Sequence, residues 1–248
     1  TPSTSSAASD VYKRQEDSVP LLQRMSIDRA DTGLVVRHVD DSLRTRAVVK
    51  DLDVSNSMYR GVLIDKENRT NYTNYESADI TGLTVTGTGG PGAKTPNIAE
   101  AAVEINATGA WLEDVLIDGC TNVGLRMYFT DASTTVRNMT VKDAGDAGAG
   151  AGAHASGVAV RSSYFAPTFE GLSVTGSPGS GVHASGGGSM QGHTWNLSGN
   201  TEYGLRVDMA EVIVDGVLLD GNGFAGALIE DGRSAVSYTH LRAHETRT

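Results

Sequence analysis

The chain has 248 residues, 39% of them hydrophobic and only 6% aromatic, with 30 glycines and a formal net charge of −10. A field of that sign repels polyanions, which argues against general nucleic-acid binding and against an anionic membrane surface. No apolar run approaches the ~18 residues of a membrane span, and the single cysteine, Cys120, excludes an internal disulfide, a disulfide scaffold and a zinc-cluster module.

The two ends read differently from the middle. Ser5–Gln15 back-translates to a transposon-type sequencing adapter, and the reverse complement of the same duplex encodes Ala235 to His240 and begins Leu241. Two peptides drawn from opposite strands of one short DNA element are expected to be non-native, so residues 1–15 and 235–248 are set aside as fusion scars are. The natural part, 16–234, is then more acidic than the whole.

Within 16–47, Leu34-Val35-Val36 and Ala47-Val48-Val49 are expected to be strands of an atypical first coil or entry segment. From Val48 to Ser234 a pattern recurs: an apolar-x-apolar strand, a small or polar turn, then Gly-apolar-x-apolar. The first strand appears as Leu52-Asp53-Val54, Leu83-Thr84-Val85, Val115-Leu116-Ile117, Met139-Thr140-Val141, Leu172-Ser173-Val174, Trp195-Asn196-Leu197 and Val217-Leu218-Leu219. The second begins at Gly61, Ala102, Gly124, Gly157, Gly181, Gly204 and Gly226. Successive first strands are 31, 32, 24, 33, 23 and 22 residues apart. A basal turn of 22 to 24 residues is therefore lengthened three times, by insertions within 66–77, 87–99 and 143–156. Short self-similar units of this kind bury their apolar faces only by stacking.

Alternation places Val62 and Ile64, Leu125 and Met127, and Leu205 and Val207 on one side of the pleat, toward a shared interior. Blades of a β-propeller are longer than these spacings, and a β-sandwich does not repeat so regularly. The pattern resembles the right-handed parallel β-helix family, the pectate-lyase-like solenoid superfold, over roughly Val48 to Glu230. The resemblance implies an all-β, single-stranded right-handed parallel β-helix of seven to eight coils without clear caps. It implies little about function, because that superfold carries lyases, hydrolases, tailspikes and surface proteins.

In such coils the side chain between two inward residues is expected to face solvent, and equivalent positions stack about 4.8 Å apart. One outward column then holds Glu104, Arg126, His183 and Arg206, and its neighbour holds Tyr128, Arg161 and Asp208. Together these seven form the candidate ligand site. Guanidinium groups match carboxylate and sulfate geometry, and a tyrosine ring offers a sugar a stacking surface. The plainer reading pairs Arg126 with Glu104 and Arg206 with Asp208 as ordinary surface ion pairs.

A lyase of the family would need a basic residue beside carboxylate-held calcium, and no aspartate cluster accompanies these arginines. The family's hydrolases carry paired aspartates and a Gly-His-Gly segment; here only Gly192-His193-Thr194 comes near, and Asp40-Asp41 is remote. No catalytic residue is assigned. Calcium could bind the acidic turns at Asp118, Asp143, Asp146, Asp215 or Asp220, but no ligand spacing supports it, so no metal or cofactor is expected. Cys120 reads as a buried turn filler aligned with Ser57, Ser177, Asn200 and Asn222.

Five Asn-x-Ser/Thr sites, at Asn68, Asn71, Asn106, Asn138 and Asn196, favour an extracellular or cell-surface location and glycosylation. The expectation is thus a fragment of an extracytoplasmic β-helix protein, a non-catalytic surface or adhesin-like module binding acidic carbohydrate, such as a polysaccharide or cell-surface glycan, on its lateral face. The alternatives are a polysaccharide lyase or glycoside hydrolase with its carboxylates elsewhere, and a purely structural spacer.

Overall fold

A computed structural model describes residues 21–38, 46–66, 76–89, 101–130, 134–145, 155–162, 166–231, 236–237 and 241–242. The insertions expected within 66–77, 87–99 and 143–156 fall largely outside these residues. The described chain is almost entirely strand, and no helix in it is long and apolar enough to cross a membrane.

The strands fall alternately into two parallel sheets. A ten-stranded sheet, here called the bent sheet, takes β1 (Leu21–Asp28), β3 (Ala47–Ser55), β5 (Glu76–Thr86), β7 (Gly109–Asp118), β9 (Thr135–Lys142), β11 (Thr168–Thr175), β13 (Ser189–Asn196) and β15 (Glu211–Leu218) in chain order. Two short strands of the tail, β17 (Val236–Ser237) and β18 (Leu241–Arg242), pair with β15. The eight-stranded front sheet takes β2 (Thr32–His38), β4 (Arg60–Lys66), β6 (Ala101–Asn106), β8 (Val123–Tyr128), β10 (Val158–Arg161), β12 (Val182–Ser185), β14 (Tyr203–Asp208) and β16 (Ala225–Glu230). Every strand pairs with its equivalent one coil on, so the chain winds as a right-handed parallel β-helix.

Corners are made by residues in the left-handed region, which L side chains enter at a cost of about 1–2 kcal/mol. One set sits inside the bent-sheet strands, at Asp51, Gly82, Asp114, Asn138, Gly171 and Gly216 among others. The pairing skips it: Lys50 lies opposite Thr81 and Leu52 opposite Leu83, with Asp51 and Gly82 left out. Each long strand is therefore two short ones meeting at a corner. A second set follows the bent-sheet strands (Asn56, Gly119, Gly176) and a third follows the front-sheet strands (Phe129, Ser162, Met209), so the cross-section has three walls.

The walls enclose one continuous apolar core. Val49, Ile80, Leu112, Val136 and Phe169 line the first wall, Leu52, Val54, Leu83 and Val85 the second, and Val62, Ile64, Leu125, Met127, Leu205 and Val207 the third, all at 2% exposure or less. Burial of each such side chain contributes on the order of 1.5–3 kcal/mol. Gly61, Gly157 and Gly204 stand where the chain enters the front sheet; a Cβ there would meet the backbone or core side chains of the next coil, which explains the glycine opening the repeated Gly-apolar-x-apolar motif.

Two details differ from the sequence reading. Ala47-Val48-Val49 does not belong to a separate coil: it is the first half of β3, the strand that continues into Leu52-Asp53-Val54. The first coil is built instead from β1, whose Met25 and Ile27 lie opposite Leu52 and Val54, and from β2, whose Leu34 and Val36 lie opposite Val62 and Ile64. The period-2 signal of β1 is weak because Gln23 and Arg24 interrupt it at the corner.

Candidate functional site

The candidate residues share the outer face of the front sheet, and the register places them in two vertical columns. Glu104, Arg126, Ala159, His183 and Arg206 are successive Cα partners in one, and Asn106, Tyr128, Arg161, Ser185 and Asp208 in the other.

The columns are not the open surface expected from the pleat. Glu104 is 4% exposed, His183 6% and Asn106 8%. Alternation directs a side chain away from the core but does not by itself put it in water. Here Ala101, Val123 and Ala159 form a small buried cluster of their own, separate from the main core, beside these polar groups.

In the early coils two arginines share one carboxylate. Arg126 Nη2 lies 3.0 Å from Glu104 Oε1, and Arg60 Nε donates to Glu104 Oε2 at 2.7 Å. Arg60 was not among the sequence candidates; it heads β4 just before the motif glycine, outside both columns. Its position one coil below Glu104 is legible only once the coils are in register. At the far end Arg206 Nη2 pairs with Glu230 Oε2 at 3.1 Å, not with Asp208 as its sequence neighbourhood suggested. Along one strand Arg206 and Asp208 are two residues apart, whereas Glu230 is Asp208's partner on the next coil.

The middle coils are different. Arg161 is exposed, with its guanidinium carbon 5.7 Å from the centroid of the Tyr128 ring, and Tyr128 in turn packs edge-on against Phe129. Among the described residues no carboxylate lies within ion-pair distance of Arg161. One coil further, both ring nitrogens of the buried His183 lack a hydrogen-bond partner. Burial, and then the nearby Arg206, lower its pKa to about 4, with Arg161 acting in the same direction and Asp208 opposing. Its imidazole is therefore neutral at pH 7. A buried polar group without a partner is uncommon enough to need a reason.

The other candidates lie apart from this cluster. Asn138 is exposed at a corner, with Nδ2 donating to Asp114 at 3.1 Å; Asn196 is half-buried and accepts from Ser198; Asn106 is buried and offers a glycan no room on the folded chain. Asn68 and Asn71 lie outside the described residues. Cys120 is 1% exposed, and burial raises its thiol pKa. An open cleft of about 570 Å³ runs along the bent sheet, lined by Asp51, Asp53, Asp114, Asn138, Thr140 and Lys142. Its carboxylates outnumber its lysine, so it is a poor seat for an anion. Among the described residues no group of three or more His, Cys, Asp or Glu could hold a metal ion.

No family profile and no curated protein matches the sequence. Among solved structures, a single-substitution variant of the periplasmic alginate epimerase AlgG is similar, with a TM-score of 0.57, 12% identity, and coverage of 89% of this chain and 51% of that one. The likeness is one of fold. The unsubstituted enzyme aligns at a TM-score of 0.47 and 10% identity, covering 81% of this chain. The chain thus spans about half the length of the structures it resembles.

Proposed function

We propose that the chain is an extracytoplasmic module that binds an acidic polysaccharide on the outer face of its front sheet, with the binding determinants concentrated in the coils of Tyr128, Arg161, His183 and Arg206. The observation that carries this reading is the pair of unmet demands on adjacent coils: Arg161 has no carboxylate partner among the described residues, and His183 has two buried nitrogens without one. Both are answered by a ligand that brings oxyanions and hydroxyls, and the Tyr128 ring supplies the flat apolar contact a pyranose stacks on. That a protein of similar fold is a periplasmic alginate epimerase supports both the ligand class and the compartment.

The test is calorimetric titration with alginate oligosaccharides and with neutral dextran. Alginate is expected to bind and dextran not to, and Arg161→Ala or His183→Leu should each weaken binding at least tenfold with the circular dichroism unchanged. Equal binding by wild type and both folded variants removes the proposed site.

A second reading, uronate chemistry instead of binding alone, is favoured by one specific observation. A neutral imidazole beside an arginine supplies the two residue types that removal of a proton α to a carboxylate uses, a base and a cation that neutralises the carboxylate, with the ring's midpoint near 4 making it a weak base. Incubating alginate with the protein in deuterated water separates the two readings: deuterium entering the uronate ring requires chemistry, and its absence leaves a binding module.

A further inference from the structure

We infer that His183 is a proton-coupled anchor: when a carboxylate or sulfate group of a ligand binds beside Arg161 and Arg206, the imidazole takes up a proton and one of its N–H groups donates to that oxyanion. The inference rests on the binding reading above and specifies how the acid group is held.

The geometry carries it. His183 lies on β12 between Ala159 on β10 and Arg206 on β14, so its neighbour on one side is a methyl group that reaches for neither nitrogen. The charged groups acting on it are Arg206 and Asp208 from β14 and Arg161 from β10, with Arg126 one coil beyond Ala159 and Glu230 beyond Arg206. Arg126 is occupied by Glu104 and Arg206 is engaged by Glu230, which leaves Arg161 and Asp208 as the two charges of this group outside any ion pair among the described residues. Burial first, and then the two flanking cations, disfavour a positive charge on the imidazole more than Asp208 favours it, and so the ring is neutral without ligand. A ligand oxyanion reverses that balance, because it opposes both guanidinium groups and accepts from the ring.

The sign of the coupling follows. The group titrates near 4 in the free protein, and an adjacent anion raises that midpoint. Between the two midpoints the complex holds more protons than its components, so binding tightens as pH falls through the upper midpoint and levels off below the free one. A one-unit rise corresponds to a tenfold gain in affinity across that window. Uronate and sulfate sources share this chemistry. Sulfate remains fully ionised throughout the range, which separates protonation of His183 from protonation of the ligand.

Two measurements test it. Calorimetry with an alginate hexamer and with inorganic sulfate at pH 5, in buffers of different ionisation enthalpy, should show net proton uptake for both; His183→Gln should bind with affinity independent of pH and without uptake. The His183 ring resonance of the wild type, followed by NMR titration, should move its midpoint upward by about one pH unit when sulfate or hexamer is present. Uptake of the same size in His183→Gln, or a His183 midpoint unmoved under saturating hexamer, overturns the coupling while leaving the binding reading intact. Failure of the wild type to bind either probe between pH 4 and 7 overturns both. If hexamer alone binds with uptake, the source is the uronate carboxylate; if sulfate alone does, a sulfated glycan replaces alginate as the ligand.

Discussion

Glu104 and His183 lie in one column of the same wall, both nearly inaccessible to water, yet their surroundings set them opposite tasks. Glu104 has both oxygens held by guanidinium groups. Removing its charge strands Arg60 and Arg126, each only 17–20% exposed at the side chain, so Glu104→Gln is expected to cost about 2–3 kcal/mol in urea denaturation. His183 behaves in the opposite way, because its polar atoms are desolvated without return. His183→Leu should be neutral or stabilising, by up to about 1 kcal/mol at pH 7. The pH dependence adds a signature. Unfolded, the imidazole titrates near its ordinary 6.5; folded, it titrates near 4. The unfolded chain binds more protons in that interval, so the contribution is complete above 6.5, declines as pH falls through the interval, and is gone at about 4. On the order of 3 kcal/mol of wild-type stability should disappear over that range and be retained in His183→Leu. Parallel curves for the two proteins would contradict the burial assigned to this ring.

Among the elements, the bent strands explain what pattern reading reached and what it missed. The second wall and the front sheet were legible because Leu52-x-Val54 and Val62-x-Ile64 alternate cleanly between turn residues. The first wall was not, because a corner residue shifts the alternation by one: Val49 and Leu52 both face inward with two residues between them, a spacing that period-2 counting discards. The two outward columns were legible from the same alternation, since register follows once the inward residues are aligned. Their burial was not legible, nor was the second arginine on Glu104, because both depend on contacts between coils far apart in sequence. Corner chemistry is open to direct test. Gly119 and Gly176 occupy the same corner in different coils, both with left-handed backbone. At Gly119 a Cβ meets nothing within 4 Å, whereas at Gly176 it runs into the Asp143 carboxylate. Gly119→Ala should therefore cost about 1 kcal/mol, the backbone strain alone, and Gly176→Ala clearly more. Equal shifts in denaturation midpoint would show that the Asp143 side chain swings away without penalty.

For the molecule as a whole, each coil touches chiefly the two beside it, so stability is a chain of neighbour contacts with no single centre. The central coils have partners on both sides. The last has fewer: Phe224 is 69% exposed and Ile229, an inward residue by its register opposite Val207, 42%. Amide hydrogen exchange is expected to proceed from the outer coils inward, with β1, β2 and β16 exchanging first and β7 to β12 last. Simultaneous exchange of all strands would indicate one cooperative unit. The same architecture bears on the proposed ligand face, which crosses coils that each supply one row of side chains.

That winding has a consequence for how such a chain can change its length. Because Asn196 takes the place of Ser173 one turn later, excising residues 174–196 joins Ser173 to Leu197 with the inward pattern uninterrupted. The deletion removes a whole storey, lowers Arg206 onto Ala159 and Asp208 onto Arg161, and discards the row that holds His183 while leaving those above and below it intact. Genes for molecules wound in this way can gain or lose recognition a storey at a time, where in most globular proteins the loss of so many consecutive residues would destroy the core.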